Sequence, residues 1–393
     1  MIAPTPFFTD RGCHIRIYEE AAALQRRGHT VKIVAYHIGE TPADMDVERT
    51  LTIPWYHKHD AGPSWHKLYI DLLLLFKSIA VNRRFRADIV HGHLHEGCFV
   101  GWFVSRLFGI PLVFDFQGSL TEEISGYGFI GKRGPLHAIF HFFESVINRM
   151  PDKILVATSS SRTLLEEKFG VAPARIGTLL DGTNTNIVKP TAPDLSLMES
   201  LDIPQNKRIV AYVGSFSELE GIDTLLQAAK IVVQKNPDAF FLIGGYPHVE
   251  KYRAMAQGLG LDGHALLPGR IAYKEVPRYI NLGELTVTAK PQTEANGKLY
   301  FYMACAKPTV AFDHAINREI LGDLGLYPKE QAAEAFADSI LEALRKPPES
   351  LRELGTRSRE RMVQLFSWDA RAEEMEREYA GLCAGAGFAK PNR

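Results

Sequence analysis

The sequence predicts an α/β protein built from two Rossmann-like, doubly wound domains in tandem, and three observations carry that reading. Short runs that are apolar at nearly every position, among them Leu112-Val113-Phe114, Ile154-Leu155-Val156 and Ile209-Val210-Ala211-Tyr212-Val213, alternate with stretches whose apolar residues recur at helical spacing. Such strands are covered on both faces, as in a parallel sheet flanked by helices. The alternation begins twice, before and after a polar, proline-containing run. With 393 residues, the chain also exceeds what one hydrophobic core usually supports.

In order, Met1-Ile2-Ala3 before Pro4-Thr5-Pro6 is expected to be the tail of a first strand cut short by the start of the chain, so a missing upstream stretch or a different start site is expected. The loop Asp10-Arg11-Gly12-Cys13 opens a helix whose Ile17, Ala21 and Leu24 share a face and which ends at Arg27-Gly28. Gly12 lets another group approach the backbone there. Strands are expected at Val31–Tyr36, Asp88–His91, Pro111–Asp115 and Lys153–Ala157. Helices are expected about Lys67–Arg84, Gly97–Phe108, Pro135–Arg149 and Ser161–Phe169. Ligands of such sheets bind outside the carboxyl ends of the strands, which directs attention to Pro4–His14, His91–Glu96 and Gln117–Glu123.

Residues 1–188 form the first expected domain, 189–207 a linker, 208–366 the second domain and 367–393 a terminal helix. The second domain reads as strands Arg208–Val213, Ala239–Ile243, Ala265–Leu267, Leu285–Thr288 and Thr309–Phe312. Its helices are expected at about Ile222–Gln234, Glu250–Gly258, Tyr273–Ile280 and from Gly297, followed by Gln331–Leu344, Glu349–Phe366 and Trp368–Cys383.

Composition narrows the function classes. An apolar content of 46% with 23% charged residues is ordinary for a globular protein, and a net charge of −1 gives no general attraction to nucleic acid or acidic membrane. Four cysteines without CxxC spacing argue against a zinc site or a disulfide framework. The longest apolar run, near Ile70 to Phe76, is too short to span a bilayer, and the opening residues lack the charged-then-apolar pattern of a signal peptide, so none is expected there. A cytoplasmic protein, at most peripheral to the inner face of the membrane, is expected.

Three strings imitate functional motifs. Gly126 to Gly131 matches GxGxxG but follows a polar stretch rather than a strand, so it reads as a loop. Asp44-Met45-Asp46 has cation-binding spacing but lies in an acidic connection, where a solvated loop is the plainer reading. His91, His93 and His95 have no nearby thiolate or third fixed ligand, so no metal is expected. Residues 127–149 mix Phe129, Ile130, Leu136, Ile139, Phe140, Phe142 and Phe143 with Lys132, Arg133, His137 and His141. A core helix with a solvated face is one reading, and a segment that docks on a membrane or a lipid-linked acceptor is the other.

The stretch Thr293 to Pro308 runs from a polar loop into a short apolar helix, bringing Glu294, Asn296, Gly297 and Lys298 to one helix N-terminus. Free backbone N–H groups and a lysine there suit an anion such as a phosphate; a βαβ turn with a merely solvated lysine is the alternative.

Taken together, Arg11-Gly12, Arg27-Gly28-His29, Asp88 to His93, Asp181-Gly182-Thr183, Tyr212-Val213-Gly214, Glu220 to Asp223, Leu267 to Arg270, the stretch from Thr293 and Phe366-Ser367-Trp368 resemble the retaining GT-B glycosyltransferases of family four, the glycosyl transferases group 1. The resemblance covers nearly the whole chain. It implies two domains facing a central cleft, with a last helix returning to the first domain. It also implies a nucleoside-diphosphate sugar held by the second domain, a sugar or lipid-linked acceptor held by the first, and no cofactor or nucleic acid.

The departures from the family pattern are informative. Relatives place an arginine after the glycine of the first strand of the second domain and a lysine before the next glycine, and this chain has Ser215 and Glu220. A charge pair at 4 Å is worth roughly 4 kcal/mol gross at an effective dielectric of about 20, against about 0.3–2 from a helix terminus. Lys290, Lys298 and Arg270 are then the cations expected to grip the diphosphate, with Gly12, Gly214, Ser215, Asn296, Gly297 and Leu299 about the donor. Glu218 and Glu220 are expected to point away or to face a hydroxyl. Phe301 stands where a ribose-binding glutamate is usual, Glu294 keeps a sugar-contacting role, and Gln117 replaces a histidine and cannot act as a base. Glu294, Lys298 and Gln117 form the expected catalytic set for hexosyl transfer to a hydroxyl with retention. A catalytically degenerate sugar-nucleotide or partner-binding protein is the alternative, with an epimerase and a dehydrogenase further behind.

Overall fold

Two all-parallel sheets carry the fold, as the doubly covered apolar strands require. The computed structural model describes residues 1–8, 12–57, 64–126, 128–131, 133–291 and 296–385. They divide into two units, Met1–Asp181 with Trp368–Arg393, and Gly182–Ser367.

Unit 1 runs β1 (Ile2–Ala3), α1 (Gly12–Arg26), β2 (Ile33–Ala35), β3 (Val47–Arg49), α2 (Lys67–Phe85), β4 (Val90–His93), α3 (Leu94–Phe108), β5 (Leu112–Phe116), α4 (Leu120–Gly126), α5 (Pro135–Ile147), β6 (Lys153–Val156), α6 (Ser159–Thr163) and β7 (Ile176–Thr178). Its sheet order is β3-β2-β1-β4-β5-β6-β7. Phe114, Phe116, Ile154 and Val156 pack with Ile70 and Leu74 of α2 and Val100 and Val104 of α3 in one core. Two edge strands, β3 and β7, are additions to the expected set. Each has three residues, only one of them strongly apolar, and so leaves little pattern to read.

Two helices of unit 1 depart from expectation. The polar stretch after Gln117 is helical, because the buried Glu144 carboxylate accepts hydrogen bonds from the Leu120 and Thr121 amides at 3.1 and 2.9 Å and from the Thr121 and Ser119 hydroxyls. A carboxylate from α5 thus satisfies the open N–H groups that start α4. In α5 itself, Glu144 is the buried residue while Leu136, Ile139, Phe142 and Phe143 are exposed. The core-helix reading of this segment therefore does not hold.

Unit 2 runs α7 (Leu195–Ser200), β8 (Arg208–Ser215), α8 (Ile222–Lys235), β9 (Ala239–Tyr246), α9 (Val249–Gly258), β10 (Ala265–Gly269), α10 (Val276–Leu282), β11 (Leu285–Thr288), α11 (Lys298–Ala304), β12 (Thr309–Ala311), α12 (Ala315–Leu321), α13 (Ala333–Arg345) and α14 (Pro348–Phe366), with sheet order β10-β9-β8-β11-β12. The run 189–207, expected as a linker, contributes to this unit. The Asp194 carboxylate caps α7 by accepting from the Leu197 amide at 3.0 Å, and Leu197, Met198 and Ile203 pack against Ile209, Phe240 and Leu242. The chain leaves unit 1 at Asp181 rather than at 188.

A last helix, α15 (Trp368–Gly385), belongs to unit 1. Trp368, Ala372 and Met375 pack with Ala23 and Leu24 of α1 and with Val113, Leu155 and Leu179, and Arg26 and Arg27 pair with Asp369 and Glu376.

Candidate active site

Each sheet starts in its middle. The first strands, β1 and β8, each pair on one side with the next strand in sequence and on the other with a strand reached by a later crossover, β4 and β11. The winding reverses between them, which leaves a crevice at their carboxyl ends.

In unit 2 that crevice holds a charged cluster. Lys290 follows the end of β11, Lys298 opens α11, and Glu220 lies between β8 and α8. The Lys298 ammonium donates to Glu220 at 2.5 Å and to the Asn296 side-chain oxygen at 2.8 Å, and Lys290 reaches the other Glu220 oxygen at 3.3 Å. The expectation that Glu220 turns away from these lysines is overturned, since two ammonium groups at hydrogen-bonding distance outweigh every other partner open to a half-buried carboxylate. Burial pushes the Glu220 carboxyl up, but Lys298 and Lys290 more than reverse this and hold it below the usual carboxylate range. Burial draws the Lys298 ammonium below its ordinary value against the pull of Glu220.

Glycines shape the cluster. A Cβ on Gly214 would lie 2.8 Å from the Lys298 Cε, so the glycine leaves room for the lysine stem. Gly221 has φ +71°, and a Cβ there would fall 2.0 Å from the Ala289 carbonyl oxygen. Only glycine lets the Glu220 turn sit against the end of β11.

The Tyr302 hydroxyl meets both the amide and the carbonyl of Val213, at 3.0 and 3.2 Å, and pins α11 to β8. Asn296 is buried and donates to Asn317 at 2.9 Å, while Asn317 contacts His314 and a His314 ring nitrogen lies 3.3 Å from the Lys290 carbonyl oxygen. Asn296 therefore positions Lys298 rather than facing a ligand. Leu299 is also displaced from its expected role, because its side chain is fully buried and its amide donates to the Asn296 carbonyl at 3.1 Å. His314 and Asn317 were not singled out from sequence, since α12, which they flank and enter, has seven residues and too short a period to read.

The other expected donor residues make varied contacts. Gly297 precedes α11 with near-helical angles, Ser215 ends β8 exposed with its hydroxyl accepting from the Ser217 amide, and the Arg270 guanidinium lies 5.1 Å from the centre of the Tyr246 ring. Phe301 packs edge-on against Tyr273 at 5.6 Å. Glu294 lies outside the described residues, as does Arg11 beside Gly12, the first residue of α1.

The crevice of unit 1 opens into a cavity of about 380 Å³ at the carboxyl ends of β1, β2, β4 and β5, lined by Pro4–Pro6, Leu94–Glu96 and Gln117. These fall in the three stretches that the strand-end rule selects. Gln117 donates one amide N–H to Asp115 at 2.7 Å, which leaves its oxygen and its second N–H to a ligand. Lys67 and Asp71 of α2 join them, with Lys67 at 2.5 Å from Glu96 and the Tyr36 hydroxyl donating to Asp71 at 2.5 Å. Burial, with Glu96 next in effect, pushes the Asp71 carboxyl up to about 7. A larger cavity, about 530 Å³, lies at the amino ends of β2 and β4, away from this chemistry.

Beneath Gln117 a buried network holds the sheet end. Arg16 reaches Asp115 at 2.9 Å, Asp181 at 2.6 Å and Glu20 at 2.9 Å, and His93 hydrogen-bonds Asp115 at 2.9 Å. The expectation that His91 and His93 lack a third ligand needs correction: Glu20 of α1 comes to the same spot, all ligand atoms lying within 4.8 Å of one another. Burial and the nearby Asp115 push the Glu20 carboxyl up against the pull of Arg16 at 2.9 Å, and a protonated carboxyl beside a guanidinium is a poor cation ligand. His95 is packed against Phe114 and Phe116. Asp46 pairs with Lys32 and Asp44 accepts from Tyr18, which accounts for the second metal-like string.

Comparison with known proteins agrees with both halves. Residues 195–361 match the family Glycosyl transferases group 1, and residues 11–180 match the Glycosyl transferase 4-like domain. A D-inositol 3-phosphate glycosyltransferase of Thermobispora bispora is 24% identical over 233 residues, 58% of this chain, and the match spans 54% of that protein's length. Sucrose-phosphate synthase from Thermosynechococcus elongatus shares the fold with a TM-score of 0.76 at 19% identity, over 98% of each chain. Anabaena HepE, solved with UDP and glucose, gives a TM-score of 0.74 at 16% identity over 96% of this chain and 98% of that one. With each unit matching its own domain family and the fold shared from end to end, the chain belongs to the group 1 glycosyltransferases of the GT-B fold.

Proposed function

We propose that this glycosyltransferase moves a hexosyl group from a nucleoside-diphosphate donor to a hydroxyl of a sugar or lipid-linked acceptor, with retention, in the assembly of a glycan or glycolipid. The observation that carries the donor half is the pair of lysines at the crevice of unit 2, brought together at the carboxylate of Glu220. A diphosphate there meets two cations, and negative charge building on the departing phosphate is stabilised by groups already in place. The presence of UDP in the HepE structure supports a nucleotide there. Gln117 and Glu294 orient the sugar, and the leaving phosphate takes the acceptor proton, so no protein base is required.

Lys298→Ala is expected to lower transfer by at least about 100-fold with the circular dichroism spectrum unchanged; near-normal turnover would sink the donor assignment. Proton NMR of the product is expected to show the donor's anomeric configuration, and an inverted product would remove retention. Because lysines supply the countercharge, no metal is proposed, and treatment with EDTA is expected to leave the rate intact. Loss of rate restored by added magnesium would overturn that part.

One observation favours a catalytically degenerate sugar-nucleotide or partner-binding protein: where relatives grip the diphosphate with a lysine, Glu220 stands, paired with Lys298 and Lys290. Donor hydrolysis or transfer in a panel of labelled nucleotide sugars decides against it.

A peripheral membrane contact through 127–149 is part of the proposal. The exposed Leu136, Ile139, Phe142 and Phe143 of α5 join Leu68, Leu72 and Phe76 of α2 as outward apolar residues, and α3 packs against both helices. Among the described residues no helix is long and apolar enough to cross a membrane. Co-sedimentation with anionic vesicles is expected, and should be lost in Phe142→Ser/Phe143→Ser; a wild-type protein left in the supernatant removes the contact.

A further inference from the structure

We propose that the cavity of unit 1 selects a polyhydroxylated acceptor that carries no phosphate or carboxylate group. The inference rests on the donor and acceptor reading above and adds the chemical class of the acceptor.

Charge carries the argument. Three carboxylates line the cavity, Asp71 and Glu96 within it and Glu123 at its exposed rim, and among the described residues Lys67 is the one lysine or arginine lining it. That ammonium is already held by Glu96 at 2.5 Å. An incoming phosphate monoester, with about −1.5 to −2 charge at neutral pH, therefore meets three acidic side chains with no uncommitted lysine or arginine among the described lining residues. Hydroxyl groups meet the opposite situation: Glu96, held ionised by Lys67, accepts hydrogen bonds, while the Asp71 and Glu123 carboxyls, pushed up by burial, can accept one or donate their proton.

The remaining wall fits the carbon faces of such a molecule. Tyr56, Trp65, Leu68, Phe129 and Phe140 line it, and the Trp65 and Phe129 rings meet at 5.2 Å across the opening. Aromatic rings supply apolar area with little conformational freedom to lose. Free sugars and lipid-borne sugars present the same polyol chemistry to this cavity.

Matched pairs test the proposal on the full chain without requiring turnover. Saturation-transfer NMR at millimolar concentration would compare glucose with glucose 6-phosphate, glucosamine with glucosamine 6-phosphate, and myo-inositol with its monophosphate. A second arm would use dodecyl glucoside and its 6-phosphate to separate lipid-borne from free acceptors. In whichever arm binds, the unphosphorylated member is expected to bind at least tenfold more tightly, and Glu123→Gln is expected to narrow the ratio at least threefold. Asp71→Asn serves the same purpose should Glu123→Gln not fold. Equal or tighter binding of the phosphate ester, no binding of either member in both arms, or a ratio unchanged in a folded variant would overturn the proposal. Thermal shifts with nucleoside-diphosphate sugars, run in parallel, read the donor proposal by itself, so the two readings fail separately.

Discussion

Glu220 holds two ammonium groups at once, and its removal separates what it does for stability from what it does for binding. Breaking a buried ion pair by deleting one partner costs roughly 3–5 kcal/mol, so Glu220→Gln is expected to lower the melting temperature of the ligand-free protein by about 6–15 °C. The shift on adding UDP should exceed that of the wild type, because a diphosphate then no longer competes with the Glu220 carboxylate for the two lysines. An unchanged melting temperature would show the pairing to be idle. Asp71 gives a second residue-scale test. Its carboxyl, raised to about 7 by burial and Glu96 from an ordinary 3.8, keeps a proton in the native state that the unfolded chain has released. Its contribution to stability is therefore complete below about pH 4 and is lost as pH rises to about 7. Asp71→Asn removes this loss, with a ceiling of about 4 kcal/mol that solvent at the cavity mouth reduces to roughly 1–2. Melting curves should coincide near pH 4 and separate in favour of the variant at pH 8. Neither partnership was legible in the sequence. Glu220 finds Lys290 and Lys298 some 70 and 78 residues downstream, and Tyr36 meets Asp71 across 35, separations at which letters carry no contact information.

Elements were legible in proportion to how much apolar pattern they carry. The central strands β5, β6, β8 and β9 are apolar along most of their length, and with β11 they lie in the stretches expected for them, while α1, α2, α8 and α14 follow their helical spacing. Five short elements, β3, β7, α4, α7 and α12, were not expected, having three to seven residues each. The strand-end rule located the cavity of unit 1 before any side chain was placed, but it did not single out Lys67 and Asp71 at the start of α2. The turn into α8 carries a prediction at this scale. Gly221→Ala forces a Cβ to 2.0 Å from the Ala289 carbonyl at a backbone angle that disfavours side chains. It is expected to cost about 1–3 kcal/mol from the backbone alone and to displace Glu220. Urea unfolding would show the loss, and a stability within 0.5 kcal/mol of wild type, roughly the scatter of neutral surface changes, would mean that the turn relaxes.

The molecule as a whole is two cores threaded by one chain that crosses between them twice, at Asp181 and at Ser367. Unit 2 is continuous in sequence and unit 1 is not. A stop after Ser367 would delete Trp368, Ala372 and Met375, leaving Leu24, Val113, Leu155 and Leu179 without their cover. Calorimetry of that truncation is expected to show the transition of unit 1 lowered or lost and that of unit 2 unchanged; equal damage to both would mean that they unfold as one. The same threading sets an order of events on the ribosome. The strands of unit 1 are synthesised first, yet the helix that closes their apolar face waits until a further 186 residues, Gly182 to Ser367, have been made. At roughly 5–20 residues per second, that is a delay of about 10–40 s. Unit 2 can be complete while the older half of the nascent protein still presents an open apolar groove, which makes that groove the natural target of a chaperone during synthesis.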